Sequence, residues 1–197
     1  MATLIELFPK SVYVQDNVCV DYLEDLESAV YDLKNKTIRS PLLNVDTSHS
    51  RIKDLQTKKP FDILSKEILT HVRSYMKEYG YRKTKNAYIE NFWFNVSGES
   101  DYLFPHIHYG SFLSGAFYIK TQPDNMILFH DENKNYYEDP EVLTKFSETI
   151  HPLQCKNRRL IIFSSDFHHS TPPQQSKGDK IVISFNVSLE RRNHGKS

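Results

Sequence analysis

Lys180-Ile181-Val182-Ile183-Ser184-Phe185-Asn186-Val187-Ser188-Leu189 is a ten-residue run with strand periodicity. Successive side chains of a strand point to opposite faces. Lys180, Val182, Ser184, Asn186 and Ser188 therefore share one face, and Ile181, Ile183, Phe185 and Val187 share the other. The polar face either meets water or lines a polar pocket in which a lysine offers positive charge to a carboxylate. Four more segments read as strands: 88–96, 112–120, 126–130 and 159–164, parted by clusters of Gly, Pro, Asn and Asp. Several strands at this spacing predict a β-sandwich or jelly roll.

The front of the chain differs. Leu23, Leu26, Val30 and Leu33 recur at helical spacing between Asp21 and Lys34, and acidic residues occupy the first turns, where the helix dipole favours them. Phe61, Leu64, Ile68, Leu69, Val72, Tyr75, Met76 and Tyr79 mark a second helix over 61–79, with Gly80 to end it. Leu4 to Pro9 and Ser11 to Val14 read as short strands parted by a proline. Residues 40–59 form a polar loop with one short strand at most, and 131–148 an acidic, tyrosine-rich excursion of the kind that forms lids and binding loops. With no linker or repeat, one domain over 1–197 is expected: helical support in 1–80, packed on one sheet of a β core in 81–190, and a frayed tail from Arg191.

Composition narrows the function. The 197 residues are 39% hydrophobic and include 12 Tyr and 12 Phe, which suits a packed core rather than a disordered chain. Lys plus Arg (25) equals Asp plus Glu (25), so no overall basic field draws the chain to nucleic acid or an anionic membrane. No apolar run approaches a membrane span. The two cysteines, Cys19 and Cys155, have no metal-type spacing and suit a reducing compartment as buried thiols. A cytoplasmic protein is expected, without nucleic acid or membrane as a partner.

Histidine placement suggests chemistry. Seven of the nine histidines fall at or after His106. In Phe104-Pro105-His106-Ile107-His108 the two imidazoles, one residue apart, project to the same side of an extended chain and can share a metal ion. A third ligand would come from a distant strand. Phe167-His168-His169-Ser170 follows the apolar run Leu160 to Phe163, and only one of the adjacent His168 and His169 can point inward. His71 reads as a packing or surface residue of the second helix, His151 as a loop surface residue before Pro152, and His194 as part of the tail.

These motifs, in this order, resemble a family of 2-oxoglutarate/Fe(II)-dependent oxygenases known from marine bacteria and cyanophages. The resemblance rests on Asn91-Phe92-Trp93-Phe94-Asn95, Phe104 to His108, Phe112 to Ile119, Leu160 to Pro173 and Lys180 to Asn186, with Leu7-Phe8-Pro9 at the front. It implies a double-stranded β-helix, a jelly roll holding iron at its open end, so the fold class is α+β, mainly β. It also implies that His106 and His169 are iron ligands and that Lys180, eleven residues after His169, pairs with the far carboxylate of 2-oxoglutarate. The cosubstrates would be 2-oxoglutarate and O2, the co-products succinate and CO2, and, for a phage-encoded enzyme, the location the host cytoplasm.

Two departures stand out. The superfamily pattern places a carboxylate where this chain has His108, so the triad becomes three histidines unless a carboxylate such as Asp131 enters the site. Lys180 stands where most relatives carry Arg, and lysine lacks the bidentate fork. Ser184, Asn186 and Asn95 are then candidates for the remaining hydrogen bonds to the cosubstrate. The expected activity is hydroxylation of a protein side chain or a small molecule, with specificity placed in 40–59 and 131–148. Two other classes compete: a cupin-like metal protein with different chemistry, and a non-catalytic jelly-roll binding module.

Overall fold

The computed structural model describes residues 3–5, 9–19, 21–40, 44–81, 84–131 and 140–190. Helix α1 spans Leu23–Leu33 and buries Leu26 and Val30, with Glu24 and Asp25 in its first turn. Helix α2, Phe61–Glu78, buries Phe61, Leu64, Ile68, Val72, Tyr75 and Met76 along one stripe. Its end is a Schellman turn. Gly80 takes φ +90°, its N–H bonds to the Lys77 carbonyl at 3.1 Å, and the Tyr81 N–H bonds to the Met76 carbonyl at 2.9 Å. Glycine is favoured there because a Cβ would strain the left-handed backbone.

Eleven strands are present among the described residues: β1 (Val12–Gln15), β2 (Ile38–Arg39), β3 (Asp46–Thr47), β4 (Ala87–Ser97), β5 (Leu103–His106), β6 (Leu113–Lys120), β7 (Met126–His130), β8 (Ile150–Gln154), β9 (Leu160–Ser164), β10 (His169–Thr171) and β11 (Lys180–Leu189). The larger sheet runs β1-β9-β6-β11-β4-β3-β2 and the smaller one β5-β10-β7-β8. Every pairing is antiparallel. The five strong strand expectations hold to within about one residue at each end, and the two helices to within about two. The α+β, mainly β class therefore stands, with the helices against one sheet.

Three local expectations need revision. Residues before 80 supply more than helical support, because β1, β2 and β3 form both edges of the larger sheet. His151 lies in a strand, β8, rather than a loop; β8 contains Pro152 and is an edge strand, where a missing N–H breaks no ladder. Leu4 and Ile5 are exposed and not in a strand, while residues 6–8 lie outside the described residues. His194, the tail from Arg191 and residues 132–139 of the excursion also lie outside them.

The period-two pattern of β11 divides the interior. Ile181, Ile183, Phe185 and Val187 join Phe92, Phe94 and Val96 of β4 and the buried stripes of α1 and α2 in the main core. On the opposite face Val182 joins Ala116, Tyr118, Ile127, Phe129 and Phe163 in a second cluster between the sheets. Gly115 sits where the main core is tightest. A Cβ there would lie 2.3 Å from Cζ of Phe185 and 2.5 Å from the Ile161 carbonyl oxygen, far inside van der Waals contact.

Polar groups brace the periphery. Arg159, 8% exposed, forks onto Asp16 through Nε (2.6 Å) and Nη2 (2.8 Å), fixing the residue that follows β1 to the one before β9. Asp101, buried after β4, accepts two bonds from the Arg39 guanidinium and one from the Gly98 N–H at 2.8 Å. Burial pushes the Asp101 carboxyl up, but the Arg39 and Gly98 hydrogen bonds outweigh it and leave the pKa below the usual value. Among the described residues no helix is long and apolar enough to cross a membrane.

Gly115→Ala should cost about 1–3 kcal/mol of stability by overpacking, read as a lower denaturant midpoint at unchanged slope. Because its native pKa is depressed, Asp101 contributes its full stability above its unfolded pKa of about 3.9 and loses it as pH falls through the lower native value. Asp101→Asn should therefore be less stable at neutral pH and lose less stability on acidification; parallel acid-unfolding curves would contradict this.

Candidate active site

The site begins with one cross-strand pair. In the β5–β10 ladder His106 lies directly opposite His169, and their ring centroids are 4.4 Å apart. His108, two residues after His106, brings a third ring 5.3 Å from His106 and 5.1 Å from His169. One ring nitrogen from each residue lies within 4.8 Å of the other two. Of the adjacent histidines, His169 is the buried one that faces this cluster. The carbonyl of His168 instead receives the His130 N–H at 2.9 Å.

Each ring is held by its Nδ1. In His106 it lies 2.7 Å from the Phe104 carbonyl, in His169 2.9 Å from the Phe167 carbonyl, and in His108 2.5 Å from Oδ1 of Asn186. A carbonyl oxygen only accepts, so each Nδ1 carries the proton and each Nε2 keeps its lone pair. The same Asn186 oxygen accepts the Ser114 hydroxyl at 2.9 Å, and Ser114 meets the Ser165 hydroxyl at 2.7 Å. Burial first, and neighbouring imidazoles second, push His169 down to about 3. Burial pushes His108 down to about 4, against the opposing bond to Asn186, and also lowers His106. All three are neutral near pH 7, the form that ligates a metal.

Three neutral imidazoles with converging lone pairs fit a divalent first-row metal, and imidazole suits Fe(II). Among the described residues the cluster contains no carboxylate. Asp131 sits just past β7 with its N–H bonded to the Thr149 carbonyl at 2.8 Å, and it is not part of the cluster. Glu132, Glu138 and Asp139 lie outside the described residues.

From the triad a pocket runs into the space between the sheets. Lys180, Asn95 and Ser184 all line it, as the inward-facing positions of β11 and β4. Lys180 is 4% exposed, and among the described residues its ammonium has neither ion pair nor hydrogen bond. Burial lowers its pKa, against the pull of Cys155, Asp101 and Asp124. Asn95 gives its Nδ2 to the Ser184 hydroxyl at 3.3 Å, while its buried Oδ1 has no partner among the described residues. Asn186 is placed differently: it does not line the pocket but braces His108.

Sequence reasoning did not single out Ser97 and Thr171, which also line the pocket, or Ser114 and Ser165, which support Asn186. Parity was the available signal for some. Ser114, Ala116 and Tyr118 share the inward face of β6, as Trp93, Asn95 and Ser97 share that of β4. Trp93 stands at the mouth, stacked on His108 at 5.9 Å and met edge-on by His49 at 4.9 Å. Its outer side lines a groove with His49, Lys53, Asp54, Glu90 and Asn91.

The jelly roll thus carries a histidine cluster able to hold a metal ion beside a cation-ended pocket. A family model described as "Putative 2OG-Fe(II) oxygenase" matches residues 91–186, the span that holds all three histidines and Lys180.

Solved structures show the same fold. A prolyl-4-hydroxylase from Pseudomonas putida aligns with a TM-score of 0.66 at 10% identity, over 92% of this chain and 94% of that one. HygX from Streptomyces hygroscopicus, crystallised with nickel, 2-oxoglutarate and hygromycin B, gives 0.66 at 12%, over 91% and 83%. The viral collagen prolyl hydroxylase of Paramecium Bursaria Chlorella virus-1, in its 2-oxoglutarate complex, gives 0.56 at 10%, over 91% and 96%. No curated protein matches the sequence.

Removing the brace on His108 should weaken metal binding without removing a ring. Asn186→Ala should lower Co(II) affinity about 10–100-fold, followed by visible absorption, while leaving the thermal transition of the apo-protein within a few degrees. Unchanged affinity would show that His108 is not held for this purpose.

Proposed function

We propose that this protein is a 2-oxoglutarate-dependent hydroxylase in which His106, His108 and His169 hold Fe(II) and Lys180 anchors the far carboxylate of the cosubstrate. The observation that carries this reading is the conjunction in one pocket of three Nδ1-tethered imidazoles and a buried ammonium with no counter-ion among the described residues. A buried unpaired charge is costly, and a ligand carboxylate would relieve that cost. When bound, Fe(II), 2-oxoglutarate and O2 would supply the oxidative chemistry: the keto acid would yield CO2 and succinate, which takes one atom of O2, and the other atom would enter a substrate C–H bond.

The protein's own groups position and exclude. The three Nδ1 bonds aim the Nε2 lone pairs at one point, and His108 takes the place of the usual carboxylate. Ser184 and Asn95 are assigned to cosubstrate hydrogen bonds beside Lys180. Phe163, Ile127 and Tyr118 keep the inner wall dry. The substrate, a protein side chain or a small molecule, would approach through the groove outside Trp93, formed by β4 and part of the 40–59 loop. Two buried free thiols are in keeping with work in the cytoplasm. A cupin-like metal protein would leave Lys180 without a purpose, and a binding module would leave the tethered triad without one.

Protein loaded anaerobically with Fe(II) and exposed to O2 should release succinate from 2-oxoglutarate even without its substrate. His106→Ala and His169→Ala should reduce this to background, and Lys180→Ala should raise the 2-oxoglutarate requirement. His108→Asp, which restores an oxygen donor, should bind metal better than His108→Ala. Iron binding with neither succinate nor an iron-to-2-oxoglutarate charge-transfer band would sink the assignment.

A further inference from the structure

We propose that 2-oxoglutarate binding is coupled to protonation of Lys180, so that in alkaline solution the enzyme takes up a proton from solvent as it takes up its cosubstrate. This rests on the assignment of Lys180 as the carboxylate anchor and adds a pH control that an arginine at the same position would not have.

The argument starts from what surrounds the ammonium. Lys180 is 4% exposed. On β4 it is opposite Ser97, and on β6 and β10 the pocket walls nearby are Tyr118 and Thr171; none of these brings a charge at neutral pH. Behind Tyr118 lies the Cys155 thiol, and burial raises the pKa of both groups, so both stay protonated.

Two carboxylates are within electrostatic reach, and both are engaged elsewhere. Asp101 holds the Arg39 guanidinium and the Gly98 N–H. Asp124 accepts the Ser176 hydroxyl and the Gln175 N–H at 2.6 Å. The remaining charged neighbours are also committed. Asp179 meets Lys34 at 3.7 Å and the Tyr31 hydroxyl at 3.0 Å, Lys120 pairs with Glu27 at 2.7 Å, and Arg159 forks onto Asp16.

Among the described residues Lys180 is therefore a cation in a desolvated site that supplies no counter-ion of its own, and desolvation favours its neutral form. A bound dicarboxylate brings the missing negative charge and favours the protonated form. The lysine pKa must then be higher in the complex than in the free enzyme. At pH below the free-enzyme pKa, binding takes up no proton and affinity is flat. Between the two pKa values binding takes up as much as one proton, and affinity falls by up to tenfold per pH unit. Arginine, charged throughout this range, would remove the coupling.

The test uses protein loaded with Ni(II) in place of Fe(II). 2-Oxoglutarate is titrated calorimetrically from about pH 7 to pH 10, below the ordinary lysine pKa of about 10.4, in paired buffers of different ionisation enthalpy. Wild type should show proton uptake rising toward one, with affinity weakening by up to tenfold per pH unit. Lys180→Arg should bind with little uptake and a flat profile. Because the metal site is common to both proteins, hydrolysis at nickel would affect them alike. 2-Oxopentanoate, which has no distal carboxylate, gives an independent arm: wild type should bind it without proton uptake. Wild type that binds 2-oxoglutarate with no uptake anywhere in the range, or with the same profile as Lys180→Arg, would overturn the coupling and leave the anchor standing. Failure of the nickel-loaded wild type to bind 2-oxoglutarate at neutral pH would instead overturn the anchor and the coupling together.

Discussion

The pairing of His106 with His169 across the β5–β10 ladder is the contact on which the site depends. These residues are far apart in the chain, and antiparallel hydrogen bonding makes them direct neighbours, with ring centroids at 4.4 Å. His108 then joins them because it follows His106 by two. A one-residue slip of β10 would bring His168 inward and send His169 to the other face. Nearby bonds oppose such a slip: the His130 N–H holds the His168 carbonyl, and the His169 ring is fixed to the Phe167 carbonyl.

Strand β11 does the complementary work in the larger sheet. Its apolar face is locked into the main core beneath the helices, where Phe185 fills the space left by Gly115. That packing fixes which residues face the other way. Lys180 is thereby committed to the inner end of the pocket, Ser184 opposite Trp93 near the triad, and Asn186 to the brace on His108. The helices touch none of the chemistry directly, yet they help set the register of the strand that carries it.

Much of this was legible as periodicity. The alternation in 180–189 and the apolar runs in 88–96, 112–120, 126–130 and 159–164 identify central strands because a buried sheet demands such residues. The edges were less visible. Strand β8 carries Pro152 and exposed residues, and β10 is only three residues long, so neither has a pattern long enough to read. Asn186 shows the same limit at the site. Its inward parity was evident, but parity cannot distinguish a side chain that meets a ligand from one that holds the ligand's neighbour.

By itself, the sequence determined that the protein is a mainly antiparallel β structure with two supporting helices, that His106 and His108 lie on one side of an extended segment, and that Lys180 shares a face with Ser184. These are local consequences of side-chain period and propensity. Tertiary structure brought His169 rather than His168 beside His106 and His108, as the resemblance implied, and it alone decided that, among the described residues, the cluster contains no carboxylate and Lys180 is buried without a counter-ion. Each of these depends on which distant strand lies alongside, and that is set by the packing of the whole sheet, which no local pattern encodes.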